Sequence, residues 1–250
     1  MTINCGMILA AGVGSRLGTI TRTMPKALVK VDGFPVLQRV ILHMRDSGIT
    51  RIVVNVHHFA NQITDFLALN DNFGMDIVIS DETDELLDTG GALVKAAPLF
   101  AGADNIVVHN VDILSNADLR HLIAVHDDEG SVATLFVNNR ATSRYLLFDE
   151  GMNLCGWENI KSGETIPAAL PTEQLSRFAF TGIHVLKPSL IQHLTRYTEK
   201  KAFSIIPFYA NNCSSMPIKG LLYDSRCYWF DIGSPEKLEK ADNFFKETNR

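Results

Sequence analysis

Met7-Ile8-Leu9-Ala10-Ala11 runs into Gly12-Val13-Gly14-Ser15-Arg16-Leu17-Gly18, and Pro25-Lys26 follows. An apolar run of strand length thus feeds a glycine loop that carries one arginine, with a lysine ten residues beyond it. Glycines let a backbone come close to a ligand and turn its N–H groups inward. Fixed cations beside such N–H groups suit a polyphosphate. The stretch reads as a nucleoside-triphosphate site where the first strand ends. The common phosphate loops do not fit it. The third glycine falls one place late for G-x-G-x-x-G, and no G-x-x-x-x-G-K-[ST] string occurs.

Working outward, residues 4–10 read as a buried strand. Residues 28–31 form a short extended piece closed by an Asp32-Gly33 turn. Pro35 stands at the start of a helix in which Val36, Leu37, Val40, Ile41 and Met44 recur at helical spacing, and Gly48 ends it. Residues 52–56 and 75–79 read as strands, with a helix between them marked by Phe59, Ile63, Phe66 and Leu67. Alternating strands and helices imply a parallel sheet covered on both faces, with ligands beyond the carboxyl ends of the strands. The glycine loop lies there.

Residues 81–88 carry five carboxylates and read, for the most part, as a solvated loop. Thr89-Gly90-Gly91 opens a helix through residue 100. Its two glycines either admit a flat ligand and offer free N–H groups, or mark a plain helix entry. Residues 105–110 form a strand that Val111-Asp112-Ile113-Leu114 ends. A carboxylate at the end of a buried parallel strand packs badly and suits a metal. Asn116 reads as the cap of a helix running through residue 126, and residues 131–137 as another strand. From 138 to 177, short extended pieces are broken by Gly151, Gly156, Gly163, Pro167 and Pro171. They suggest an insertion folded over the sheet to grip a second substrate. A strand at 178–185 and helices at 189–194 and 204–210 precede Trp229-Phe230-Asp231-Ile232-Gly233-Ser234-Pro235. There Ser234 caps the last helix, Pro235 begins it, and Glu236 pairs with Lys240.

The chain has 250 residues, 46% of them hydrophobic and 20% charged, enough for one large α/β domain. A net charge of −5 argues against a nucleic-acid partner, which needs a basic face. It does not argue against a nucleotide, since a site can be locally basic. No apolar run approaches the roughly 18 residues of a membrane span, and no signal peptide is recognised. The cysteines, Cys5, Cys155, Cys213 and Cys227, are scattered without C-x-x-C, which suits reduced thiols in a cytoplasmic protein.

The combination L-A-A-G-x-G-S-R-L-G with P-K-A-L-V resembles the opening signature of the sugar nucleotidyltransferases, or nucleotide-sugar pyrophosphorylases. Leu87-Asp88-Thr89-Gly90-Gly91-Ala92 resembles that family's L-x-T-x-G-A segment, and Trp229 to Pro235 its W-x-D-[IV]-G-[ST]-P segment. The resemblance covers nearly the whole chain and is strongest at its two ends. It implies an α/β, Rossmann-like three-layer sandwich with a mostly parallel mixed sheet, the nucleotide-diphospho-sugar transferase fold. The single domain then divides into a nucleotide-binding half (1–137), a sugar-binding half (138–235) and a C-terminal helix (236–250), with no appended β-helix.

The roles implied are these. Arg16 and Lys26 are catalytic, one holding the leaving pyrophosphate and the other the reacting phosphate. Leu9, Ala10, Ala11, Gly12, Gly14, Ser15, Asp88, Thr89, Gly90 and Gly91 bind the nucleotide. Asn110, Glu158, Thr181 and Gly182 bind the sugar. Asp112 and Asp231 hold Mg²⁺. The family carries glycine where this chain has Val111, which threatens to crowd the nucleotide, and a Glu-Lys pair where it has Glu158-Asn159. Either another cation replaces that lysine or the sugar is held differently.

The implied substrates are a nucleoside triphosphate and a sugar 1-phosphate, with no nucleic acid or membrane partner. The segments look most like small uridylyltransferases acting on N-acetylmuramate 1-phosphate, a cell-wall sugar, or a similar N-acetylated sugar. GTP-dependent mannose- or heptose-1-phosphate guanylyltransferases look nearly as close. A catalytically silent domain that senses nucleotide sugars is the reading of another class.

Overall fold

A computed structural model describes residues 2–168 and 170–248. The chain begins with strand β1 (Asn4–Leu9). After the glycine loop come the short strands β2 (Lys30–Val31) and β3 (Phe34–Pro35), helix α1 (Val36–Asp46), β4 (Arg51–Val56), α2 (Ala60–Leu69) and β5 (Asp76–Asp81). Next are α3 (Asp88–Ala96), β6 (Asn105–Asn110), β7 (Ile113–Ser115), α4 (Leu119–Asp128) and β8 (Ala133–Asn138). The second half holds β9 (Arg144–Phe148), β10 (Leu154–Asn159), β11 (Glu164–Ile166), the long β12 (Ser176–Leu186), α5 (Ser189–Tyr197) and α6 (Ile205–Asn212). Strands β13 (Ile218–Leu222) and β14 (Trp229–Asp231) and helix α7 (Pro235–Thr248) complete it.

The main sheet runs β11-β10-β9-β12-β6-β1-β4-β5, with β8 beside β12 and β13 beside β8. Its first half, β6-β1-β4-β5, is parallel throughout. Strand β12 is antiparallel to β6, β8 and β9 and joins the halves. Period-2 alternation sends β1 side chains to opposite faces. Ile8 packs under α1, α2, α4 and α7, while Cys5 and Met7 pack under α3, α5 and α6. The three layers follow from that alternation.

Two local expectations are corrected. Residues 138–177 do not fold over the sheet. Their extended pieces become β9, β10 and β11, which lengthen it sideways through antiparallel ladders, because the first residues of β12 offer β9 an edge and β10 and β11 follow in turn. The cap of α4 is Asp118, whose carboxylate accepts from the amides of Arg120 and His121. Asn116 instead accepts from the amide of Tyr228 and ties the closing segment to β7. The acidic stretch is exposed for the most part, as expected, with Glu82 fully buried within it.

Candidate active site

The site is a cleft of about 320 Å³ beyond the carboxyl ends of β1, β4 and β6, lined by Leu9, Ala11, Gly12, Lys26, Asn55, Glu82, Leu86, Asp88, Thr89, Asn110, Val111 and Asp112. The glycine loop rises from its edge. Gly14 adopts φ 68°, a left-handed conformation, and a Cβ there would press on Lys26 and Thr21 at 3.1 Å. That close approach brings the buried Lys26 stem under the loop. Its ammonium then meets the Asp112 carboxylate, 86 residues further on. Residues Ser15, Arg16 and Leu17 form one short helical turn, which leaves Arg16 exposed.

Asp112 lies on the turn between β6 and β7. Antiparallel pairing of β7 with β14 sets Ile113 opposite Asp231, and the Ile232 amide donates to the Asp112 carbonyl at 2.9 Å. The far end of the chain is thereby fixed against the loop. A Cβ on Gly233 would sit 2.7 Å from Asp231 Oδ1 and 2.9 Å from the Arg16 guanidinium, so glycine is what lets these two charged groups converge. Asp231 also accepts from the Gly233 amide at 2.8 Å and from Lys237 at 2.5 Å. Burial works to raise its carboxyl, but those hydrogen bonds and the charges of Lys237 and Lys26 outweigh it and hold the group below the usual carboxylate range. Arg16, Lys26, Asp112 and Asp231 therefore share one neighbourhood.

No group of three or more His, Cys, Asp or Glu side chains stands ready for a metal among the described residues. Two acids are nonetheless what Mg²⁺ commonly takes from a protein when phosphates and waters complete its shell. Asp112 and Asp231 are the two acids that the β7–β14 pairing brings to this end of the sheet, each paired with a lysine here.

The floor of the cleft holds a network that sequence reading missed. Asn55 Oδ1 accepts from the amides of Ala10 (2.6 Å) and Ala11 (3.3 Å), and Asn55 Nδ2 donates to Glu82 at 2.7 Å. The other Glu82 oxygen accepts from the Leu87 amide. Two buried side chains thus bind the loop entrance, β4 and the segment leading to α3. The available signal was an asparagine inside the apolar run of β4, a place where polar side chains are rare unless they are bonded.

The remaining expected residues divide. Leu9, Ala11, Gly12, Asp88, Thr89 and Asn110 line the cleft, and Ser15 sits on the exposed loop. The N–H groups of Gly90 and Gly91 are not free: both donate to the Phe203 carbonyl. A Cβ on Gly90 would collide with the Phe203 ring, and one on Gly91 with the Lys201 carbonyl. These glycines let the segment before α6 close on α3. Thr89 is likewise engaged, its hydroxyl accepting from the Ile205 amide.

Thr181 is fully buried and donates to the Phe136 carbonyl, so its side chain turns into the sheet. Gly182, with φ 86°, leaves room for the Asn110 side chain, which a Cβ would approach to 2.9 Å. Glu158 is 7% exposed and held by Arg177. Val111 borders the cleft. It is 3% exposed and packs into the core beneath α1 and α4.

A mixed sheet between two helical layers, a glycine loop at β1 and two acids meeting its cations make an α/β protein with a charged cleft at the ends of its parallel strands. The chain belongs to the nucleotidyl transferase family, whose model matches residues 5–248. It is 26% identical to the N-acetylmuramate alpha-1-phosphate uridylyltransferase of Caulobacter vibrioides, over 94% of each chain. It is 29% identical to the UTP–glucose-1-phosphate uridylyltransferase of Synechocystis, over 82% of this chain, and covers only 57% of that protein's length. The fold matches that of a putative glucose-1-phosphate thymidylyltransferase from Bacillus anthracis with a TM-score of 0.81 at 20% identity, over 96% of this chain and 94% of that one. No helix among the described residues is long and apolar enough to cross a membrane.

Proposed function

We propose that this chain joins a sugar 1-phosphate to a nucleoside triphosphate, using UTP and an N-acetylated sugar such as N-acetylmuramate 1-phosphate. The observation that carries the reading is the convergence of Lys26 with Asp112, and of Arg16 with Asp231, at one end of the parallel sheet. The choice of UTP and N-acetylmuramate rests on the Caulobacter relative, which matches over nearly the full length of both chains. Activity of a silent, sensing kind would not require all four charged groups to meet.

In the reaction, an oxygen of the sugar phosphate forms a bond to the α-phosphorus. The bond from that phosphorus to the bridging oxygen breaks, and pyrophosphate leaves with the electron pair. No protein nucleophile is needed, so the work of the chain is positioning and charge neutralisation. Arg16 and the loop amides beyond Ala11 take the β- and γ-phosphates. Lys26, on leaving Asp112, bridges the α-phosphate and the incoming phosphate. Asp112 and Asp231 would hold Mg²⁺, which would neutralise phosphate charge there. The Asn55–Glu82 network holds the entrance of the loop in place.

The test is pyrophosphate release from a matrix of four nucleoside triphosphates against N-acetylmuramate, N-acetylglucosamine, mannose, heptose and glucose 1-phosphates. Turnover is expected with UTP and an N-acetylated sugar. Turnover with GTP and mannose or heptose phosphate would replace the substrate assignment. Nucleotide binding without turnover for any pair would replace the enzyme reading with the sensing one.

A further inference from the structure

The second half of the sheet holds a guanidinium with unused donors. Arg140 follows β8, and its guanidinium carbon lies 4.6 Å from the centre of the Trp229 ring. One Nη donates to the Phe180 carbonyl at 2.8 Å. Its Nε is buried without a partner among the described residues. A guanidinium presents five N–H donors and does not give up its charge, so a half-buried one in this state calls for an anion. The carboxylate whose field reaches it is that of Asp231, already engaged by Lys237 and the Gly233 amide. Burial accordingly pushes the guanidinium below its ordinary value, opposed by the charge of Asp231.

Position gives the anion its identity. Trp229, on which Arg140 stacks, precedes Asp231 by two residues on β14 and so shares its face of that strand. Arg140 is tied to β12 through Phe180, while Arg16 approaches Asp231 from the glycine loop. Arg177, the neighbouring cation on β12, is not available in the same way: its Nε and an Nη go to Glu158, and it also donates to Thr172. We propose that Arg140 binds the phosphate of the second substrate, a phosphate monoester, and holds it beside Asp231 facing the nucleotide. The assignment rests on the nucleotidyl-transfer reading. Trp229 keeps the guanidinium plane fixed through its stacking contact, and Trp229 is itself fixed by its indole N–H to the Thr181 carbonyl at 2.9 Å.

The test is calorimetric titration of the wild-type protein, Arg140→Gln and Arg140→Lys. The probes are UTP and GTP, inorganic phosphate, and the N-acetylmuramate, mannose and glucose 1-phosphates, with thermal unfolding of each variant alongside. Loss of a charged hydrogen-bonding partner is expected to weaken the phosphate monoester that the wild type binds by roughly 10- to 100-fold. Nucleotide affinity should stay within about twofold on the same grounds, since its contacts are untouched, and Arg140→Lys should recover part of the loss. Phosphate affinity unchanged in Arg140→Gln overturns the proposal. So does a parallel fall of nucleotide affinity and melting temperature, which would assign Arg140 to packing on Trp229. A wild type that takes nucleotide but none of the phosphates overturns it too. A wild type that binds no nucleotide refutes the nucleotidyl-transfer reading instead, while the phosphate arm still decides the role of Arg140.

Discussion

Arg16 and Asp112 differ in how the fold treats them. Arg16 is exposed on a short turn whose backbone is set by glycines on either side, and nothing in the core depends on it. Arg16→Ala should therefore leave the melting temperature in place and lower kcat by roughly 10²–10³, the loss typical of one fixed donor to a developing anion. Steady-state pyrophosphate release measures it. Asp112 neutralises Lys26, which is only 7% exposed. Asp112→Asn keeps the shape and one hydrogen-bond acceptor. It should abolish Mg²⁺-dependent turnover while the chain still unfolds cooperatively; an active variant would remove Asp112 from the metal role. Both residues were legible in the sequence, one from its loop and the other from a carboxylate at a strand end. Their partners were not, because a contact across 86 residues leaves no periodic trace.

At the scale of elements, α3 teaches the sharper lesson. A glycine pair at a helix start looks like a ligand-facing entry, since the first turn of a helix has unpaired N–H groups. Here the neighbouring backbone takes them. Phe203 and Lys201 close on Gly90 and Gly91, while Leu87 accepts in turn from the Phe203 amide. Gly91→Ala should cost about 1–3 kcal/mol of stability, as overpacking commonly does. Urea titration reads it, and an unchanged midpoint would contradict the contact with Lys201. Helix α4 shows the same competition between local candidates. Asn116 and Asp118 both have the chemistry of a cap, and the tertiary demand of Tyr228 for an acceptor took Asn116 and left Asp118 to the helix.

Across the whole molecule, covering the sheet on both faces leaves three histidines away from water. His109 and His184 lie on adjacent strands, and burial pushes each down to about 3, helped by the charge of His43 on His109 and of His109 on His184. Burial and then the charge of Lys187 take His126 to about 4. Each has an unfolded value near 6.5. Between that value and the folded one, the unfolded chain binds protons that the fold refuses. Stability is therefore complete above about pH 6.5 and is lost progressively toward pH 4. Melting temperatures followed from pH 7.5 down to pH 4.5 should fall steadily. A flat profile would mean that these histidines are not held neutral.

The chain order of strands and helices, the glycine loop with its two cations, and the carboxylate of Asp112 after a buried strand were written in the sequence, whereas Asp231 was singled out only by the family resemblance. Each of the former depends on near neighbours: a periodicity, a turn residue, a charge placed a fixed number of residues on. Only the tertiary structure decided which polar groups remain open to a ligand. It gave the Gly90 and Gly91 amides to Phe203, buried Glu82 under the cleft with Asn55, and set Arg140 on Trp229 beside Asp231. Hydrogen-bonding capacity is divided among groups that meet in space, and that division is fixed only when β7 and β14 bring the two ends of the chain together.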